Sequence, residues 1–270
     1  MIDALRSIFL GIIQGLTEFL PVSSSAHLNI FPWLFKWDNI SESFDLALHA
    51  GTLLAILVYF FKDWINLIKG GVSSVFKKER SVDGRLFWYI VIATIPAGLL
   101  GKALEKLIES AVGDNMNIEM IIISLALIIM GIVLYYVDKN AKSDISLSRL
   151  KFLPAFFIGL SQAIAGAIPG VSRSGITMTV GRAYGLDRES AAKYSFLLSA
   201  PMIAGAVLLS ISEFKFSLAF FLGVLASFIV GLFVIKFLMN FLKRGSFKIF
   251  AIYRVVFGAV ILLISIIRLA

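Results

Sequence analysis

Cysteine is absent from the 270 residues. That excludes disulfides, thiolate metal sites and cysteine nucleophiles, and it leaves the redox compartment unread. Charge is scarce as well. Only 16% of residues are charged, against about a quarter in soluble proteins, while 59% are hydrophobic and the mean hydropathy is +0.92. A bilayer is therefore the expected solvent. No polar stretch is long enough for a separate soluble domain, so one membrane domain covering 1–270 is expected. The apolar N-terminal stretch leads past Ser25 into more embedded chain, which reads as membrane domain and not as a cleaved signal peptide. The net charge of +8 does not mark nucleic-acid binding, because the basic residues form short clusters between apolar runs. Membrane lipids are the expected partners.

What is present is a set of apolar runs. A membrane-crossing helix needs about 20 mainly apolar residues, and six stretches qualify: 46–61, 86–101, 118–137, 194–211, 217–235 and 249–267. The segment from Lys62 to Arg85 between the first two carries Lys62, Lys69, Lys77, Lys78, Arg80 and Arg85, whereas Lys102 to Asn117 carries only Lys102 and Lys106. Lys139, Lys142, Arg149 and Lys151 follow the third span, and Lys243, Arg244 and Lys248 the fifth. By the positive-inside rule these richer segments are cytoplasmic, and both termini lie outside.

Two further apolar stretches, 4–20 and 152–168, each run into a proline followed by serines and read as half-membrane hairpins. Gly11, Gln14, Pro21 and Ser24 align with Gly159, Gln162, Pro169 and Ser172 at a constant offset of 148. Shared helix-ending chemistry could produce such matches. An internal repeat, about 1–137 and 149–270, accounts for more, because three crossings per half invert the second half relative to the first. The expected fold is an all-α polytopic membrane protein with six transmembrane helices and two opposed re-entrant hairpins in an inverted repeat. The hairpin tips would then meet near the midplane.

Irregular backbone survives at membrane depth only where protein or a water-filled cavity satisfies it. In Pro21-Val-Ser-Ser-Ser-Ala-His27 a proline ends one helix and serines can cap the next, leaving N–H groups that attract anions. Pro169-Gly-Val-Ser-Arg-Ser-Gly175 has the same plan and adds Arg173, whose planar fork suits a phosphate. Plain capping is the simpler reading for any single serine. An embedded arginine costs about 2.5–3.5 kcal/mol on insertion scales, so Arg173 is expected to face a partner or a pathway. Gln14 and Glu18 share a helix face with Thr17 beside them. Glu18 could orient His27, hold a divalent cation or pair with Arg173. His27 beside serines permits an activated hydroxyl or direct attack by histidine. Asp45, His49 and Thr52 come to the outer end of the first span, close to where the first hairpin enters.

Together these residues resemble the undecaprenyl-diphosphate phosphatase family associated with bacitracin resistance. Gln14-Gly-Leu-Thr-Glu18-Phe-Leu-Pro-Val-Ser-Ser-Ser-Ala-His27 is similar to its first motif and Pro169-Gly-Val-Ser-Arg-Ser-Gly-Ile-Thr177 to its second. Support comes from His49-Ala-Gly-Thr52, Ser195-Phe-Leu-Leu-Ser-Ala-Pro201 and Phe250-Ala-Ile-Tyr-Arg254. The resemblance implies hydrolysis of the polyprenyl carrier diphosphate to its monophosphate, recycling the carrier for peptidoglycan, in the bacterial inner membrane. It also implies that Arg173 binds phosphate, that Glu18 and Gln14 serve metal or acid–base roles, and that Ser24 or His27 is the nucleophile. Ser23, Ser25, Ser172, Ser174 and Thr177 would line the phosphate cradle, and a magnesium or calcium ion is implied. Gln14 supplies no second negative charge, which puts metal ligation by this helix in doubt. The expected mechanism has Ser24 attacking, His27 taking the proton, and a site opening outward. The rival classes are a lipid-phosphate transporter or flippase and a lipid-binding scaffold. The sequence leaves a homodimer open.

Overall fold

The computed structural model describes residues 3–37, 41–112 and 115–269, apart from the side chains of 109, 111 and 112. In order the helices are α1 (Ala4–Thr17), α2 (Ser24–Phe35), α3 (Glu42–Tyr59), α4 (Phe61–Phe76), α5 (Val82–Val112), α6 (Met116–Asn140), α7 (Phe152–Leu160), α8 (Gln162–Ala167), α9 (Arg173–Ala183), α10 (Arg188–Leu209), α11 (Leu218–Leu242) and α12 (Lys248–Leu269). Among the described residues there is no strand, only one bridge between Ile145 and Leu186. Six helices are long and apolar enough to cross a membrane: α3, α5, α6, α10, α11 and α12. Large apolar side chains such as Leu99, Phe221 and Phe233 project outward from them. In water such a surface would aggregate, whereas in a bilayer it faces acyl chains.

Two boundaries differ from the hydropathy reading. Lys62 to Arg85 is not a plain loop, because α4 fills most of it. The second span does not stop at residue 101, because α5 runs on to Val112 through Lys102, Glu105 and Lys106. Ala, Leu, Glu and Lys are good helix formers, so that helix continues beyond its apolar stretch.

Close glycine contacts bring the halves together. α1 lies on α11, and a Cβ on Gly15 would stand 2.8 Å from the Ser227 carbonyl oxygen. Small residues thus permit backbone approach, the usual basis of helix association in lipid. The Ser7 hydroxyl adds a bond to the Ala219 carbonyl. The later hairpin does the reciprocal thing, with α7 and α8 packing on α5. Each half therefore holds the other's short hairpin arm, and α6 packs along α12 between them. A polar staple closes one end. Buried Asp138 accepts from Arg182 Nε at 2.8 Å, Arg188 Nε at 2.8 Å and the Phe247 N–H at 3.2 Å.

Candidate active site at the facing helix-turn tips

α1 ends at Thr17 and α2 begins at Ser24; α8 ends at Ala167 and α9 begins at Arg173. The N-cap residues Ser23 and Ser172 both adopt left-handed backbone, with φ of 77° and 72°. Each hydroxyl accepts the N–H three residues on, Ala26 at 3.3 Å and Gly175 at 3.0 Å. Each also lies 3.2 Å from the serine two positions ahead, Ser25 or Ser174. In backbone terms Val22-Ser-Ser-Ser25 therefore matches Val171-Ser-Arg-Ser174 at an offset of 149. The offset of 148 that pairs the prolines does not hold through the turns. The extra residue is taken up at Gly170, whose φ of +94° favours glycine. The counterpart of Ser24 is consequently Arg173, each being the first residue of its returning helix.

These two first residues meet on one carboxylate. Glu18 Oε1 accepts a hydrogen bond from Arg173 Nη2. Its Oε2 accepts from Ser24 Oγ at 2.6 Å and from Gln14 Nε2 at 3.1 Å, and His49 Nε2 stands 3.5 Å away. Glu18 is 7% exposed, while Ser24, Ser25 and Arg173 are half-buried, so the cluster is recessed but reachable. A helix's first N–H groups have no intrahelical acceptor, so the turns direct the donors of Ser24, Ser25, Arg173 and Ser174 into the same region.

The structure brings Gln14, Glu18, Ser24 and Arg173 together. Ser23 and Ser172 are caps, and Ser25 and Ser174 bond to those caps; Ser174 also donates to the Leu20 carbonyl at 3.1 Å, tying the second tip to the first. Thr177 is turned away, its Oγ1 2.6 Å from Ser195 Oγ. The expected pairing of Ser24 with His27 is replaced by Ser24 with Glu18. His27 lies a turn into α2, where Nδ1 donates to the Ser23 carbonyl at 2.6 Å and Nε2 meets the Tyr253 hydroxyl at 2.7 Å. Its ring stacks on Phe257 and Tyr253. Both nitrogens are engaged, so His27 holds the turn.

Arg254 was given no role by sequence. Fully buried on α12, it donates to the carbonyls of Pro21, Gly170 and Val171, at 3.1, 2.8 and 2.9 Å, and so clamps both turns. Its hydrogen-bond partners among the described residues are all carbonyl oxygens, so its charge adds to the positive field at the tips. The signal was available, since Arg254 is a lone charge within an apolar run, the same ground on which Arg173 stood out.

For a cation, the Gln14 amide directs its nitrogen to Glu18 and leaves Oε1 buried without a partner. That free carbonyl beside a carboxylate suits a hard cation. No group of three or more His, Cys, Asp or Glu suited to a metal occurs among the described residues. Other ligands would have to come from a bound phosphate or water.

A family model described as bacitracin resistance protein BacA matches residues 7–260 of this chain. Curated undecaprenyl-diphosphatases are similar along almost the whole length. The one from Caldicellulosiruptor bescii is 47% identical, covering 97% of this chain and 98% of its own. Those from Desulforudis audaxviator and Moorella thermoacetica are 46% and 44% identical, with 97% and 95% of this chain covered and 98% and 96% of their own.

Proposed function

This chain belongs to the bacitracin resistance protein BacA family, and on that premise we infer that it is an undecaprenyl-diphosphatase, a membrane hydrolase converting the lipid carrier diphosphate to undecaprenyl phosphate and inorganic phosphate. The monophosphate product returns to cell-wall synthesis as the lipid carrier. The observation that carries it at the level of chemistry is the Ser24–Glu18–Arg173 cluster, a hydroxyl on a carboxylate beside a guanidinium at two helix N-termini. A carrier of lipid phosphate would need the cation and the N–H groups, but not a hydroxyl with its own proton acceptor.

In the mechanism, the terminal phosphate lies over the two turns, held by backbone N–H groups and the remaining N–H groups of Arg173. Ser24 Oγ attacks the terminal phosphorus while its proton passes to Glu18 Oε2. The bond from phosphorus to the bridging oxygen breaks, and undecaprenyl phosphate leaves with that oxygen. Once Glu18 has passed the Ser24 proton to the departing undecaprenyl phosphate, water attacks the phosphoserine phosphorus and gives its proton to Glu18. The Oγ–phosphorus bond breaks as Glu18 returns a proton to Ser24 Oγ, and inorganic phosphate leaves. Arg173 is positioned to offset charge on the equatorial oxygens, which is the main demand of phosphoryl transfer. Arg254 keeps both turns in place, and His27 braces the first. A magnesium or calcium ion would be held by Gln14 Oε1 and Glu18 together with phosphate oxygens, and it would supply further charge neutralisation. We place the protein in the bacterial plasma membrane with this site opening outward, which the clustering of cations on Lys62 to Arg85 and the later matching segments supports.

Phosphate release from farnesyl and undecaprenyl diphosphate by purified protein in detergent, across several divalent cations, is the direct test. Release with both substrates is expected. No release under any cation would sink the hydrolase reading and leave lipid-phosphate transport.

A further inference from the structure

We propose that α4 lies in the plane of the cytoplasmic leaflet and binds anionic phospholipid headgroups. In the second half only a single 3-10 turn, Ile211–Glu213, stands between α10 and α11 where α4 stands in the first. The 16 residues of α4 reach about 24 Å at 1.5 Å per residue, less than the ~30 Å hydrocarbon core, and α4 is not among the helices apolar enough to span.

Three flanks of the helix have different neighbours. Leu67 and Gly71 are buried, Gly71 lies against the Phe87 ring of α5, and Ser74 accepts a bond from Trp88 Nε1 at 2.9 Å. Phe61, Ile68, Val72, Val75 and Phe76 form a second flank with steps of three, four and seven residues. They are 49% to 82% exposed among the described residues. Lys62, Asn66, Lys69 and Ser73 form the third. An apolar stripe lying beside a cationic one is the pattern of a helix resting at the headgroup–acyl boundary.

Charge commits the partner. Lys62, Lys69, Lys77, Lys78 and Arg80 stand in or just after α4, against the acids Asp63 and Glu79. Asp63 is taken by Lys193 of α10 at 2.6 Å, which also fixes the start of the helix. A cation-rich segment flanking a span attracts an anionic leaflet surface.

The absence of native cysteine permits a clean test. Ile68→Cys, Val72→Cys, Asn66→Cys and Ser73→Cys, each spin-labelled in nanodiscs containing phosphatidylglycerol, are compared for collision with oxygen and with a water-soluble nickel chelate. Labels at 68 and 72 are expected to favour oxygen, and those at 66 and 73 nickel. Equal nickel exposure at all four overturns the interfacial helix. Dipolar coupling between labels at 68 overturns it in favour of a second copy of the chain. The combined variant K69Q/K77Q/K78Q/R80Q is expected to retain several-fold less phosphatidylglycerol through purification, by mass spectrometry, and to hydrolyse farnesyl diphosphate in detergent as wild type does. Unchanged lipid retention overturns the headgroup site. Because hydrolysis is measured separately, failure here is distinguishable from failure of the phosphatase reading.

Discussion

At the residue scale Glu18 is the joint on which the site turns, since Ser24, Arg173, Gln14 and His49 all converge on it. Glu18→Gln keeps the shape but removes the charge that, in the proposed mechanism, accepts the Ser24 proton. Loss of a general base typically costs 10²- to 10⁴-fold in rate, so kcat is expected to fall by about that factor. Ser24→Ala should retain substrate binding and release no phosphate. His27→Phe preserves stacking on Phe257 and is expected to reduce kcat less than Glu18→Gln does, with a lowered Tm from the lost bonds to the Ser23 carbonyl and Tyr253. Phosphate-release kinetics on the three variants check the order. A larger kcat loss in His27→Phe than in Glu18→Gln would return the proton to histidine. The members of this cluster were legible because each is polar within an apolar segment. Their partnership was not. Ser24 reaches Glu18 across six residues through a turn in which Ser23 takes a left-handed conformation, and nothing in the serine run announces which serine does so.

At the element scale the site depends on two short returning helices starting from strained caps. A non-glycine residue in a sparsely populated backbone region costs on the order of 1–3 kcal/mol, sustained here by surrounding contacts. Ser172 bears that strain while capping Gly175. Ser172→Ala loses the cap and keeps the strain, so it is expected to lower stability by about 1–2 kcal/mol. Ser172→Gly loses the cap but relieves the backbone, and a few tenths of a kcal/mol is expected. Thermal unfolding in one detergent should therefore rank wild type and glycine close together, with alanine below; equal melting of the two variants would show that φ at 172 carries no cost. The long spans were readable from composition because lipid leaves little choice but helix. α4 and the extension of α5 were not, because a hydropathy window sees the end of an apolar run and not the end of a helix. The break between α7 and α8 was missed for a related reason. Ser161 turns its hydroxyl to the Ile158 carbonyl at 2.6 Å within an otherwise apolar stretch, a local bond that bends helices without altering the pattern.

At the scale of the whole molecule, each half holds the other's short hairpin arm, and the tips meet only while the halves stay docked. Asp138 is the polar tie most responsible away from the site, joining α6 of the first half to α9, α10 and the start of α12 of the second. Arg182 is fully buried and Arg188 is 30% exposed, so removing the carboxylate strands one cation completely and the other only in part. Breaking a buried pair from one side commonly costs about 3–5 kcal/mol, whereas replacing both members by apolar groups is near neutral. Asp138→Ala is thus expected to melt well below wild type, and Asp138→Leu combined with Arg182→Met to recover much of the loss. Arg188, which can reach water, limits neither result. Since Asp138 bonds to neither tip, the activity per folded molecule of Asp138→Ala should match wild type at temperatures where it remains folded. Melting curves and farnesyl diphosphate turnover on the same preparations separate the two quantities. Wild-type melting in Asp138→Ala would mean that the glycine contacts of α1 with α11 and the packing of α8 on α5 hold the halves unaided.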